Sequence, residues 1–370
     1  FQGLGEVYLS DALKRIRINP APRAALGISL SGDLLELTMT SEDVSMEQLQ
    51  EIISRYDRKK KYYRLKTGEF IDMNGESIGA LLELKGGLCL TDAQIREGKA
   101  LLPKYRALYV DVESREWEAL PIKKNGGFKA LVRNMKTVED NDFEVPQRLE
   151  KILREYQKKG FLWLKTLKHN GFGGILADDM GLGKTLQVIA FFLSEMEMEK
   201  GARGPSLVVC PASLVYNWKS EFDRFAPALC VKTVTGTGAE RKALLSSVGE
   251  GEILITSYDL LRRDIREYEN MTFACQVVDE AHYIKNHNTQ AAKAVKEIRA
   301  GFRLALTGTP IENRLSELWS IFDFLMPGFL YEYQRFKNEF EFPIVHGGEE
   351  AAARRLQKMI RPFILRRLKR

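Results

Sequence analysis

The sequence predicts an α/β fold over residues 151–370, a parallel sheet covered by helices on both faces. A smaller α+β accessory domain at 1–134 and a linker at 135–150 are expected to precede it. Three observations carry this. Short apolar runs recur after residue 147, namely "GGILA", "SLVVCP", "VKTVTG", "EILITSY", "CQVVDE" and "FRLALTG", and helical patterns such as "SLVYNWKSEFDRF" and "TQAAKAVKEIR" alternate with them. Strands covered on both faces read as continuous apolar runs, and their alternation with helices is the mark of a parallel sheet. A glycine-rich turn follows the first run, at the strand end where such sheets bind ligands. Finally, the polar, acidic "KTVEDNDFEVPQ" at 136–147 separates this rhythm from the mixed pattern before it.

Composition bounds the function classes. At 370 residues the chain is too long for one average domain. Its 44% hydrophobic and 29% charged content describes a chain able to bury a core, which excludes a disordered protein. The 56 basic and 50 acidic side chains give a charge of +6, which permits a nucleic-acid partner without requiring one. The absence of a run of about 18 apolar residues excludes a spanning helix. Cysteines 89, 210, 230 and 275 lack C-x-x-C spacing, and three of them lie in or beside apolar stretches. They read as reduced core residues of an intracellular protein. "FQGLGEVYLS" has neither an initiator Met nor the order of a signal peptide, so the chain is expected to be a segment of a longer, cytoplasmic protein.

In the first region "GDLLELTMTS" alternates like a strand. "SMEQLQEIISRYDRKKK" reads as a helix capped by Ser45 with Gln48 reaching back. "KYYRLKTGEFIDMN" looks like a hairpin turning near "TG", and more helix is expected around "TDAQIREGKALLPKY". The "RKKK" at 58–61 fits either a phosphate contact or a solvated helix end.

"ILADDMGLGKTLQV" at 175–188 departs from the G-x-x-x-x-G-K-[ST] phosphate loop, because Asp178 stands where the first glycine belongs. That glycine lies at the far end of the turn, where a side chain can point away from the polyphosphate. The working half is present: Gly181 and Gly183 for close backbone approach, Lys184 for the β and γ phosphates, Thr185 for magnesium, and a helix N-terminus behind them. A chance GKT in an ordinary strand–turn–helix is the competing reading of this stretch alone.

Hydrolysis of a bound nucleotide needs a carboxylate for magnesium and a group to orient water. "VVDEAH" ends an apolar strand with Asp279, assigned to magnesium, and Glu280, assigned to the attacking water. Alone, the pair could instead be a helix cap or a surface pair. "LTGTPIEN" places Thr307 and Thr309 around Gly308, able to sense the γ-phosphate and relay it to His282, or forming a plain turn. Gln157 in "LREYQKKG" carries an amide able to donate to and accept from an adenine edge, which favours ATP.

With those residues in place, "LREYQKKGFLWL", "LADDMGLGKT", "VVCPASLVYNW", "ILITSYDLLRRD", "VVDEAHYIKN", "LTGTPIENRLSELWSIFDFLMPGFL" and "RPFILRRLK" resemble, in order, the blocks of Swi/Snf-type ATPases, DNA translocases of helicase superfamily two. The resemblance covers about 146–370. It implies a RecA-like P-loop NTPase lobe, the first of two, with a helical insertion at about 327–360. It implies ATP and magnesium as cofactors, double-stranded DNA held by its backbone, and a nucleoid-associated setting. An acidic residue is common in the family at the position of Asp178. "KKYYRLKTGEFIDM" resembles an accessory region ahead of the motor in bacterial Swi/Snf proteins, a place for protein partners.

Carried over by position, Gln157 would read adenine. Asp179, Met180, Gly181, Leu182, Gly183, Lys184 and Thr185 would form the phosphate cradle, and Asp279 and Glu280 would serve magnesium and water. His282, Thr307 and Thr309 would couple nucleotide state to movement. Pro211, Ser213, Thr256, Ser257 and Tyr258 would track DNA, as would Lys285 and Asn286, while Trp218 stands between a DNA role and core packing. The chain stops after "RPFILRRLKR", where family members enter a second lobe that supplies arginine fingers, so little hydrolysis is expected from these residues alone. The tail's Met359, Ile360, Phe363, Ile364 and Leu365 suggest a helical stretch on the lobe, its arginines either facing DNA or a second lobe or simply solvated. A strand-separating RNA or DNA helicase and a non-hydrolysing nucleotide- or DNA-binding scaffold are the alternatives.

Overall fold

The computed structural model describes residues 18–55, 61–65, 68–73, 75–117, 119–198, 204–308 and 314–369. Thr309 and residues 58–60 of "RKKK" lie outside the described residues. The chain divides into two compact units, Phe1–Val132 and Arg133–Arg370.

In the first unit a four-stranded sheet is built on the hairpin of Ala24–Ser31 and Leu34–Ser41, which turns at Gly32 with φ of +58°. Lys99–Pro103 adds antiparallel to one side and Ile122–Lys124 parallel to the other. Ser45 and Gln48 form a capping box that starts the helix Met46–Ser54. Tyr62–Arg64 and Phe70–Asp72 pair antiparallel, and Ile71 packs with Ile52, Leu65, Met73 and Ile78. One expectation is corrected here. The helix expected through "TDAQIREGKALLPKY" covers only Asp92–Glu97, and Lys99–Pro103 is strand. Gly98 ends the helix at φ of +65°, where an added Cβ would meet the Met39 carbonyl oxygen at 2.9 Å.

The second unit runs α1 (Glu155–His169), β1 (Gly174–Leu176), α2 (Lys184–Glu197), β2 (Ser206–Cys210), α3 (Val215–Phe225), β3 (Val231–Thr233), α4 (Gly238–Ser246) and β4 (Ile253–Ser257). It continues with α5 (Tyr258–Arg263), β5 (Thr272–Val278), α6 (Gln290–Glu297), β6 (Arg299–Leu306), α7 (Leu315–Leu325), α8 (Glu350–Ile360) and β7 (Ile364–Leu365). The seven strands lie in the order β3-β4-β2-β5-β6-β1-β7, and every pairing is parallel. The sheet interior is apolar: Leu207, Val208, Val209, Leu254, Ile255, Val277, Leu304 and Ala305 are fully enclosed. Phe191 of α2 meets Phe302 of β6 at 5.3 Å and Phe192 meets Phe222 of α3 at 5.9 Å, so aromatic contacts pin α2 to the sheet and to its neighbouring helix. Because all strands point the same way, their carboxyl ends bring Ala177–Gly183, Pro211, Asp279 and Thr307 to one rim.

Two features of this unit differ from the sequence expectation. The helix in the tail stops at Ile360, and Ile364–Leu365 instead forms β7, an edge strand in register with Ile175 and Leu176. Pro362 has no amide hydrogen to continue a helix, and β1 offers an unpaired edge. Cys230 is exposed and Cys89 half-buried, so of the four thiols only Cys210 and Cys275 are core. Among the described residues no helix is long and apolar enough to cross a membrane.

Candidate nucleotide site

The loop begins where β1 ends. Gly181 at φ of +84° and Gly183 at +73° take left-handed conformations, and α2 starts at Lys184. The first amides of α2 have no partner within the helix, the arrangement that favours an anion. Helix α1 is drawn against the loop by two close approaches. A Cβ on Gly174 would lie 2.4 Å from Leu167 Cδ1 and 2.8 Å from Trp163 Cη2, and one on Gly183 would lie 2.4 Å from Gln157 Nε2. The Leu182 carbonyl accepts from both Gln157 Nε2 and Tyr156 Oη at 3.1 Å. Gln157 Oε1 accepts the Arg154 amide at 2.9 Å, so one end of the side chain caps α1 while the other holds the loop.

Lys184 Nζ donates to the Asp178 carbonyl oxygen at 2.7 Å, which holds its charge over the loop's centre. Thr185 is half-buried beside it. Met180 is exposed and covers Gly308, whose added Cβ would stand 3.1 Å from Met180 Cγ and 3.9 Å from Lys184 Nζ. The amide of Thr307 donates to the Leu176 carbonyl at 3.2 Å, so the "TGT" strand end lies directly alongside the phosphate loop. Asp178 answers the mismatch in the motif. Its side chain is fully enclosed and engaged behind the loop, held by Gln187 of α2 and by Arg367 beyond β7.

Across the rim, Asp279 is 8% exposed. Its Oδ2 accepts from Trp218 Nε1 at 2.8 Å and its Oδ1 from the Glu280 amide at 2.8 Å. Burial pushes its carboxyl above the ordinary range, with the Glu280 charge adding to that and the hydrogen bonds and the Lys184 ammonium opposing it. Among the described residues no ion pair neutralises it. A buried carboxylate without a cation partner, facing a lysine loop, fits a divalent ion completed by phosphate and water oxygens. Among the described residues no cluster of three or more His, Cys, Asp or Glu side chains could hold a metal by itself, so Thr185 and Asp279 alone would not form a closed cage. Glu280 sits at φ of +51°, a conformation rare for a residue with a side chain and found where the surroundings impose it. Its Oε2 is 3.2 Å from His282 Nδ1.

The side chains of the block at the end of β4 are turned inward. Thr256 is fully buried and its Oγ1 donates to the Val234 carbonyl, while Ser257 Oγ caps α5 through the Leu260 amide. Tyr258 is 3% exposed, donates its hydroxyl to the Asp279 carbonyl at 2.6 Å and stacks on Tyr283 at 4.9 Å. These side chains have no free face for a phosphate, and they position the Asp279 strand end instead. Trp218 is likewise core. Ser213, Lys285 and Asn286 are exposed, and Pro211 is half-buried. Lys285 pairs with Glu317 at 3.3 Å, and Asn286 Oδ1 accepts the Asn288 amide at 3.0 Å.

Three residues escape a reading of the sequence: Arg367, Gln187 and Tyr156. None has a motif of its own, and Arg367 is one basic residue in a basic tail. Only the pairing of β7 with β1 brings it to the loop.

Residues 156–370 match the SNF2-related domain, and residues 1–146 match the bacterial SNF2 helicase-associated domain. An uncharacterized ATP-dependent helicase of Mycoplasma pneumoniae is 35% identical over 369 residues, covering 99% of this chain and 35% of that protein. The putative ATP-dependent helicase/translocase YwqA of Bacillus subtilis is 39% identical, covering 65% of this chain and 26% of that protein. The chain thus spans about a third or less of the length of these relatives. The Sulfolobus solfataricus SWI2/SNF2 ATPase core, solved in complex with double-stranded DNA, superposes with a TM-score of 0.53 at 45% identity, covering 59% of this chain and 44% of that one. With the parallel sheet, the loop and the Asp279–Glu280 strand end on one rim, the chain belongs to the SNF2 family, as an SNF2-related domain preceded by a bacterial SNF2 helicase-associated domain.

Proposed function

We propose that residues 151–370 are the nucleotide-binding half of an ATP-driven translocase on double-stranded DNA, with 1–134 as an accessory domain. The observation that carries this is the meeting of two separate strand ends. Lys184 after β1 and Asp279 after β5 stand at the carboxyl ends of strands in the same parallel sheet, on one rim.

In this reading the amides of Gly181–Thr185 and the Lys184 ammonium grip the polyphosphate, as a helix N-terminus and a point charge do elsewhere. Thr185 and Asp279 would hold magnesium, which supplies charge neutralisation at the β and γ phosphates. Glu280, held beside His282, accepts a hydrogen bond from the attacking water and takes its proton. Trp218 of α3 and Tyr258 at the start of α5 fix Asp279 by its side chain and its carbonyl, so movement of either helix is felt at Asp279. Ser213, Lys285 and Asn286 are the exposed polar groups for backbone contacts with DNA, which carry no base information. Arginines supplied by a second lobe are worth about 10³–10⁵ in rate, so the proposal includes slow turnover by these residues alone. Lys184→Ala tests the reading: it is expected to abolish binding of a fluorescent ATP analogue while leaving the thermal transition within a degree or so, about what a surface substitution costs. Undiminished binding would refute it.

A further inference from the structure

We propose that Arg367 is the positioning residue of the phosphate loop and that the Asp178 carboxylate exists to receive it. The inference rests on the nucleotide reading above and adds to it a mechanical link between the loop and the segment leaving β7.

The link is built from three pieces of chain. Arg367 Nε donates to Asp178 Oδ1 at 2.8 Å and its Nη2 to Asp178 Oδ2 at 2.6 Å, a two-pronged fork on a carboxylate with no exposure of its own. The same Nη2 donates to Gln187 Oε1 at 2.8 Å, and Gln187 Nε2 donates onward to Asp178 Oδ2 at 3.1 Å. Nη1 donates to the Tyr156 carbonyl, and the guanidinium lies 5.1 Å from the Tyr156 ring centroid. One side chain therefore holds the start of the loop, the first turns of α2 and the first turn of α1 together. Main-chain bonds extend the seam: the Ala177 amide donates to the Leu365 carbonyl at 2.7 Å, the Asp179 amide to the Arg367 carbonyl at 3.0 Å, and the Lys369 amide to Asp179 Oδ2 at 2.9 Å.

This geometry explains the residue at 178. A glycine there would take the carboxylate from the guanidinium, leaving it Gln187 Oε1 and the Tyr156 carbonyl, and would leave the Gln187 amide only the Gly183 carbonyl at 3.4 Å. A guanidinium is suited to the place because its planar fork makes two parallel bonds to the carboxylate while a third N–H reaches a carbonyl, a geometry that a point-charge ammonium does not match. The loop's rigidity then depends on where the chain goes after β7. A shift of that segment loosens the amides that hold phosphate, and a bound nucleotide stiffens the segment in return, since coupling between two sites is reciprocal.

The test is hydrogen exchange of peptides from 177–187 without nucleotide, together with titration of a fluorescent ATP analogue. The proteins compared are the wild type, Arg367→Ala, Arg367→Lys, Asp178→Gly and the double variant Asp178→Asn with Arg367→Gln. Arg367→Ala and Asp178→Gly are expected to speed exchange in 177–187 by about tenfold or more while β2, β4 and β5 stay protected. Nucleotide affinity should fall by about tenfold in both. Arg367→Lys should lie between them and the wild type, and the neutral double variant, which keeps a hydrogen-bonded pair, should regain most of the protection. Should Arg367→Ala also expose the core strands, the comparison of Arg367→Lys with the double variant decides: equal protection in both and in the wild type overturns the proposal. Unchanged exchange at 177–187 in Asp178→Gly, the variant that restores the general motif, overturns it as well. A wild-type chain that binds no nucleotide would defeat the nucleotide reading, while the exchange comparison would still decide whether Arg367 positions the loop.

Discussion

Gly160 gives a severe test of how the lobe is wired, because helix propensity and tertiary structure predict opposite signs for Gly160→Ala. It lies inside α1, where Ala is favoured over Gly by about 1 kcal/mol. Yet an ideal Cβ there stands 1.8 Å from Gln187 Oε1 and 2.8 Å from Arg367 Nη2. Gln187 has no exposed surface and is bonded to Asp178 and to the Gly183 carbonyl, so it cannot swing out into solvent. Overpacking of this kind costs about 1–3 kcal/mol, and loss of the charge-assisted bond from Arg367 to Gln187 about 1.5–3 kcal/mol. Set against the helix gain, the net expectation is a loss of about 1.5–5 kcal/mol. For a unit of this size that is a fall in Tm of about 3–20 °C. Thermal unfolding followed by circular dichroism, with ATP-analogue titration in parallel, reads both the stability and the loop. A Tm raised by about 2–4 °C, the value helix propensity alone would give, with affinity unchanged, would refute the packing argument.

Two further outcomes follow from groups away from the loop. Glu195 bonds Lys165 at 2.5 Å and also Lys168, and the Lys165 side chain is 3% exposed, so Glu195→Gln strands a buried ammonium and should cost about 3 kcal/mol by denaturant unfolding. Burial alone would raise the Glu195 carboxyl, but the two lysines outweigh it and hold it below its ordinary 4.5. Its contribution is therefore present above that value and lost as pH falls through the depressed one, so the gap between wild type and variant should close in acid; a gap independent of pH below 4.5 would contradict the assignment. In thiol labelling of the native chain, exposed Cys230 should react well before Cys210, whose pKa burial pushes up to about 12, and before the enclosed Cys275; equal rates would contradict the burial.

How much was legible in the sequence depends on where each signal lives along the chain. The strands from Gly174–Leu176 to Arg299–Leu306 could be read because each is an uninterrupted apolar run, a property of consecutive residues. β7 could not, since two apolar residues followed by arginines carry no periodicity of their own, and only the open edge of β1 makes them a strand. The phosphate loop was visible because glycines, lysine and threonine must be adjacent to do their work. Its Arg367 partner was not, because the two sides of that pair are 189 positions apart. Small polar residues at the end of β4 suggested a surface for DNA. The structure turns them inward, where Tyr258 supports the carbonyl of Asp279, and no local pattern distinguishes those two fates.

The central claim is that the amides from Gly181 to Thr185, with the Lys184 ammonium, hold the polyphosphate of ATP. A crystal of the chain grown with magnesium and a non-hydrolysable ATP analogue tests it most directly. The account predicts phosphate density within hydrogen-bond reach of those amides, with Lys184 Nζ moved from the Asp178 carbonyl onto the β and γ phosphates. Ligand density elsewhere on the lobe, with Lys184 still bonded to Asp178, would contradict it.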